Sequence, residues 1–233
     1  MKTKSKKRRR KATGSHLSPQ RTFGFTRRDG HKIGRKPSPD SGVSHQTREP
    51  LASRFPVHVV LRLGDDLPSL RSKHAYQVLR RSFAAGCDRF GFRLNHYSVQ
   101  GNHIHYIVEA KDRESLSRGL KGLSVRIAKG LNKLWSRKGR VFADRYFDRI
   151  LRTPLEVKNA LRYVLKNGNK HGAHRGPGPD PFSSGPVFTG WRDLTPGVLH
   201  AAPSSPVAAA RTWLQNLGWR RHGLISVTAA WPA

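Results

Sequence analysis

An α+β fold, laid out as a ferredoxin-like split βαβ sandwich with an added C-terminal helix, is predicted by three observations. The apolar period between Pro56 and Gly168 changes in the order strand, helix, strand, strand, helix, strand, helix. Gly101-Asn102 joins two strand-like runs with hairpin chemistry. Thr153-Pro154-Leu155-Glu156 then opens a helix with a capping threonine, a proline at the first helical position and a glutamate three residues after the cap.

The elements follow in chain order. Val57, Val59 and Leu61 alternate with His58, Val60 and Arg62, a strand with one face more buried than the other. Ala75, Val78, Leu79, Ser82 and Phe83 recur at three and four, a helix stopped at Gly86. Phe92 to Gln100 and His103 to Glu109 are the hairpin strands. From Ser115, Leu116, Leu120, Leu123, Ile127, Leu131 and Leu134 form one stripe of a long amphipathic helix. Its other side carries Arg118, Lys121, Arg126, Lys129 and Lys133, either a solvated face or a phosphate groove. Val141 to Leu151 reads as a fourth strand, and the final helix runs to Gly168. Residues 1–53 show no sustained period and are expected to be a basic flexible tail, leaving 54–172 as the folded domain. Residues 173–233 read as a Pro/Gly-rich appendage that wraps the domain or binds nucleic acid, with one short helix from Pro206 to Leu217.

Composition narrows the partner. The 233 residues carry 45 Lys and Arg against 14 Asp and Glu, a formal charge of +31. A compact chain so charged repels itself unless a polyanion answers it, which points to nucleic acid or an anionic surface. No apolar run is long enough for a membrane span, and the basic start is not followed by a signal-peptide core, so a cytoplasmic protein with no membrane partner is expected. A single cysteine, Cys87, excludes a disulfide framework and a cysteine-cluster zinc site. Any metal must therefore be held by His, carboxylate or amide ligands.

His103 and His105 sit two apart in a strand, so both imidazoles leave the same face and can share a cation, while Ile104 turns into the core. Twelve histidines make such a pair weak by itself, and structural placement is the competing reading. Tyr163 and Asn167 are four apart on the last helix and project from one face, beside a buried stripe of Val157, Leu161, Val164 and Leu165. Asn167 offers an amide oxygen to a site with two imidazoles; the plainer reading is a half-buried tyrosine and an asparagine that ends the helix before Gly168.

Three runs, Asn102-His103-Ile104-His105, Tyr146-Phe147-Asp148-Arg149-Ile150-Leu151 and Leu161-Arg162-Tyr163-Val164-Leu165-Lys166-Asn167, together resemble the REP-associated tyrosine transposases. These are single-tyrosine HUH transposases of bacterial insertion sequences. The resemblance covers residues 54–172 in matching order and extends loosely to Asp180-Pro181-Phe182-Ser183-Ser184 and to Gly218-Trp219-Arg220-Arg221-His222-Gly223. It departs at Gln100-Gly101, where members often carry Met-Pro before the asparagine, and at Gly168, where many carry proline.

The resemblance implies an HUH-type fold and a metal-dependent nuclease and strand transferase that cleaves single-stranded DNA near hairpins through a 5′-phosphotyrosine. It places His103 and His105 on the HUH pair, Asn167 on the third ligand and Tyr163 on the nucleophile. It favours Mg²⁺ or Mn²⁺, where ligand softness alone allows Zn²⁺ as well. Arg145, Arg149 and Arg152 on the fourth strand, Arg118, Lys121 and Lys129 on the long helix, and Arg8, Arg9 and Arg10 in the tail are expected to contact phosphates. A monomer and a homodimer are equally compatible with these patterns. The competing class is a non-catalytic hairpin DNA- or RNA-binding protein of ferredoxin-like fold, suggested by Arg89-Phe90-Gly91-Phe92; it requires stacking aromatics on the central strands, whereas the enzyme reading makes Phe92 a packing residue.

Overall fold

The computed structural model describes residues 48–170, 172–174, 176, 178–194 and 206–229; Arg8, Arg9, Arg10 and the rest of the basic N-terminal run lie outside the described residues. A five-stranded antiparallel sheet of order β2-β3-β4-β1-β5 organises the chain. Its strands are β1 (Val57–Arg62), β2 (Asp88–Arg89), β3 (Phe92–Val99), β4 (His103–Ala110) and β5 (Phe147–Ile150). Without the two-residue β2, the order and directions are those of a split βαβ unit, as predicted.

Helices α1 (Lys73–Gly86) and α2 (Arg113–Leu134) cover one face. The apolar spacing read from the sequence becomes their buried stripe, including Leu79, Phe83, Leu120, Ile127 and Leu131. Ser72 and Asp112 cap the two N-termini by accepting from Ala75 N and Ser115 N. Phe92 is fully buried, and a Cβ at Gly119 of α2 would stand 2.2 Å from its ring. Phe92 is therefore a packing residue, contrary to what an aromatic nucleic-acid platform requires.

The opposite face is covered by α3 (Pro154–Leu165) and by irregular chain from the C-terminal part. Thr153 and Glu156 form the predicted capping box. Val157, Leu161 and Val164 pack with Phe188, Trp191, Leu214, Trp219 and Ile225 into a second core. The described part of 173–233 thus wraps α3.

Four expectations need correction. The fourth strand is confined to Phe147–Ile150, because Phe142 makes only an isolated bridge to Leu63; Arg145 precedes the strand and Arg152 follows it. The last helix closes at Leu165 with Lys166 as its cap, and a four-residue turn of helix, α4 (Asn167–Lys170), comes next. The helix expected from Pro206 to Leu217 shrinks to α5 (Trp213–Asn216), since the backbone before it is drawn onto strand β3 and the Glu109 carboxylate. Packing also begins ahead of residue 54: Leu51 is buried, and Arg48 donates to Tyr146 O at 2.6 Å.

Candidate active site

Strand parity decides which side chains meet. Ile104, Tyr106 and Val108 of β4 enter the α1–α2 core, so His103 and His105 leave the other face, toward α3. In β1, Val57, Val59 and Leu61 enter the same core, which puts His58 on the histidine face. Helix α3 brings Tyr163 to this group. The His103 and His105 rings lie edge to face at 4.9 Å, and Tyr163 lies edge to face with His105 at 5.2 Å. His58 is stacked on His105 at 5.4 Å and stands 5.9 Å from Tyr163.

A hydrogen bond sets the His103 tautomer. His103 Nδ1 lies 2.8 Å from Asn102 Oδ1, an oxygen that only accepts, so the proton is on Nδ1 and the lone pair on Nε2. His105 Nδ1 lies 3.2 Å from His58 Nε2. Burial, with the nearby Arg149 charge, pushes His58 down to about 4, so it is neutral at pH 7. A neutral His58 carries one ring proton, so it shares a single hydrogen bond with His105 Nδ1, its Nε2 either accepting or donating. Both Nε2 atoms of the pair are buried. Burial also raises the half-buried Tyr163 phenol above its ordinary range, so it is protonated at neutral pH.

Asn167 stands at the junction of α3 and α4, one turn beyond Tyr163, and not on an unbroken helical face. It is fully buried, and neither atom of its amide makes a hydrogen bond to any described residue. A buried amide in that condition is costly, and a cation ligand is one of the few roles that explains it. Its neighbour Lys166 is turned away, donating from Nζ to Ser226 O at 3.0 Å and Ala229 O at 2.5 Å. Two imidazole nitrogens and an amide oxygen, all neutral, suit a divalent cation that must keep its charge for a phosphate. Among the described residues no cluster of three or more His, Cys, Asp or Glu is placed to hold a metal.

The expected phosphate contacts divide. Arg149 is paired across the sheet with His58 and bonds Glu156 Oε1 at 3.0 Å. Arg152 is paired with Glu49, and Arg118 with Glu114, one turn before it on α2. Lys121 and Arg145 line a cavity of about 590 Å³ on the α2 side, together with Arg48, Arg113 and Tyr146. Lys129 lies exposed on α2. His58 is the site residue that sequence reasoning missed. Its parity in β1 was legible, but only the pairing of β1 with β4 sets it beside His105.

Residues 52–167 match the family described as "Transposase IS200 like". The chain belongs to the IS200-like transposases. The solved structure of a REP-associated tyrosine transposase bound to a REP hairpin has the same fold as this transposase: TM-score 0.53 and 19% identity, over 72% of this chain and 99% of that one. A Deinococcus radiodurans R1 protein described as a "putative transposase" aligns at TM-score 0.37 with 10% identity, over 58% of this chain and 100% of that one, and bears no weight. A search of the curated proteins finds no match. Membership makes the chain a DNA-acting enzyme of transposition. No helix among the described residues is long and apolar enough to cross a membrane.

Proposed function

We propose that this IS200-like transposase is a REP-associated type of divalent-metal-dependent endonuclease and strand transferase, cutting single-stranded DNA beside a hairpin through a tyrosine-linked intermediate. The observation that carries the reading is Tyr163 edge-on at 5.2 Å to His105, itself 4.9 Å from His103, within the matched domain. The hairpin in the solved relative supports the partner. Such an enzyme works on bacterial chromosomal DNA in the cytoplasm.

His103, His105 and Asn167 would hold the cation, Mg²⁺ or Mn²⁺, which would supply the charge that polarises the scissile phosphate. Asn102 and His58 contact Nδ1 of His103 and His105 respectively and so hold the two rings, leaving Nε2 of each as the nitrogen that would serve as ligand. Tyr163 Oη bonds to phosphorus as its proton leaves, the P–O3′ bond breaks, and the 3′ oxygen takes up a proton. One phosphodiester is exchanged for another, so rejoining needs no nucleotide cofactor. The raised phenol makes free Tyr163 a weak nucleophile, which confines attack to the assembled site.

Incubation with a hairpin-bearing single-stranded oligonucleotide and Mn²⁺ is expected to give a covalent protein–DNA adduct that survives denaturing electrophoresis. Tyr163→Phe should bind the same DNA and give no adduct. Normal cleavage by that variant would remove Tyr163 as nucleophile.

A further inference from the structure

We infer that the Arg71–Asp180 ion pair, its carboxylate buried and its guanidinium partly exposed, is the positioning element that holds Asn167 in place relative to the histidine strand, an inference that rests on the proposed role of Asn167 as ligand. The two halves of the site come from distant stretches. The histidines are on β4, and Asn167 follows the last long helix. Something must fix one against the other, and among the described residues the amide of Asn167 has no hydrogen-bond partner that could do so.

Arg71 touches both halves. Its Nη1 donates to Val99 O at 2.8 Å, at the end of β3 and just before the turn that carries Asn102 and His103. Its Nη2 donates to Ala173 O at 3.1 Å, in the chain that follows Asn167. Between these, the guanidinium grips Asp180 through both oxygens, at 2.8 and 2.9 Å. Asp180 is fully buried, and its Oδ1 also accepts from Phe182 N at 3.0 Å, so the carboxylate has a single orientation.

That carboxylate is seated against the backbone next to the ligand. A Cβ placed on Gly168 would stand 2.0 Å from Asp180 Oδ2 and 2.7 Å from its Cγ. Gly168 is not among the glycines with positive φ, so its backbone conformation is open to any residue and the contact alone demands glycine. The peptide that orients the Asn167 side chain thus rests directly on a charge fixed by Arg71. Arg71 and Asp180 act through Asn167 and are positioning residues.

The test uses the full chain and a hairpin-bearing oligonucleotide, with Mn²⁺ affinity measured by calorimetry alongside hairpin affinity and thermal midpoint. Gly168→Ala and Asp180→Ala should each weaken Mn²⁺ binding by about 10- to 100-fold, the range for residues that orient metal ligands, with hairpin affinity unchanged. Because both act on one contact, the double variant should be no weaker than the worse single one. Wild-type Mn²⁺ affinity in either folded single variant, or losses that multiply in the double, would overturn the inference. Should Asp180→Ala fail to fold, Arg71→Lys keeps the charge but not the two-sided grip and must shift Mn²⁺ affinity in the same direction; an unchanged value overturns the inference equally. Asn167→Ala separates the layers of the argument. If it binds Mn²⁺ like wild type, the ligand assignment itself is wrong; if it binds weakly while Gly168→Ala does not, only the positioning role fails.

Discussion

The two layers that sandwich the sheet are built by different means. On one side α1 and α2 bury long apolar stripes, and Leu79, Phe83, Leu120, Ile127 and Leu131 hold them by area alone. On the other, among the described residues, α3 is the one long helix, and the chain that completes its core is mostly irregular. Irregular backbone has no ladder to satisfy its polar groups, so it must be pinned bond by bond. Glu109, fully buried, accepts from Arg93, from the backbone of Arg211 and Thr212, and from the Thr212 hydroxyl. Lys166 and Asp180 pin other stretches of the same layer. Apolar packing thus fixes the strands that carry the histidines, while the layer that carries Tyr163 and Asn167 adds directional polar contacts to its own apolar core.

The sharpest way to break that contrast is Glu109→Ala. Removing one partner of a buried charged network costs about 3–5 kcal/mol, and the loss should be local. Hydrogen exchange is expected to show residues 206–227 losing protection while α1 and α2 keep theirs; uniform loss would mean that the two layers unfold as one. Next in size is His58→Ala, which strips His105 of its Nδ1 partner. Adduct formation should slow by about 10- to 100-fold with little change in thermal midpoint, and His58→Gln, which restores an acceptor, should recover part of the rate. A large fall in the midpoint instead would assign His58 to packing.

The smallest effect is on stability against pH. His96 lies on the histidine face, its Nδ1 3.3 Å from Ser184 Oγ, and burial pushes it down to about 4. The unfolded chain binds that proton near pH 6.5 and the folded chain only near 4, so stability falls as pH drops through this interval. Allowing for partial exposure, the loss is about 1–2 kcal/mol, measurable by urea denaturation at pH 7 and 4.5. His96→Gln should lose less over the same range; an identical decline would place the titration elsewhere, with His58 the first group to test.

The first layer was legible because its periods are regular. Alternation in β1 and β4 and the leucine stripe of α2 carry their own geometry in sequence, as does the Thr153 capping box that opens α3 on the other side. The second layer was not, because nothing periodic in 173–233 says that Trp191 and Trp219 close over α3 or that Asp180 finds Arg71. The departure at Gly168 illustrates the limit. In sequence it is a missing proline; in the fold it is the space occupied by a carboxylate.

By itself the sequence determined the α+β layout, the common face of His103 and His105, and the presence of a tyrosine and an asparagine one turn apart, since each depends on contacts within a few residues. Only the tertiary structure decided that His58 backs His105, that Asn167 begins a separate turn, and that Arg71 bonds both Val99 O and Ala173 O. Those facts depend on strand order and on chain wrapped from more than 100 residues away, as in the Arg71–Asp180 bond with its separation of 109, where local period and spacing carry no information.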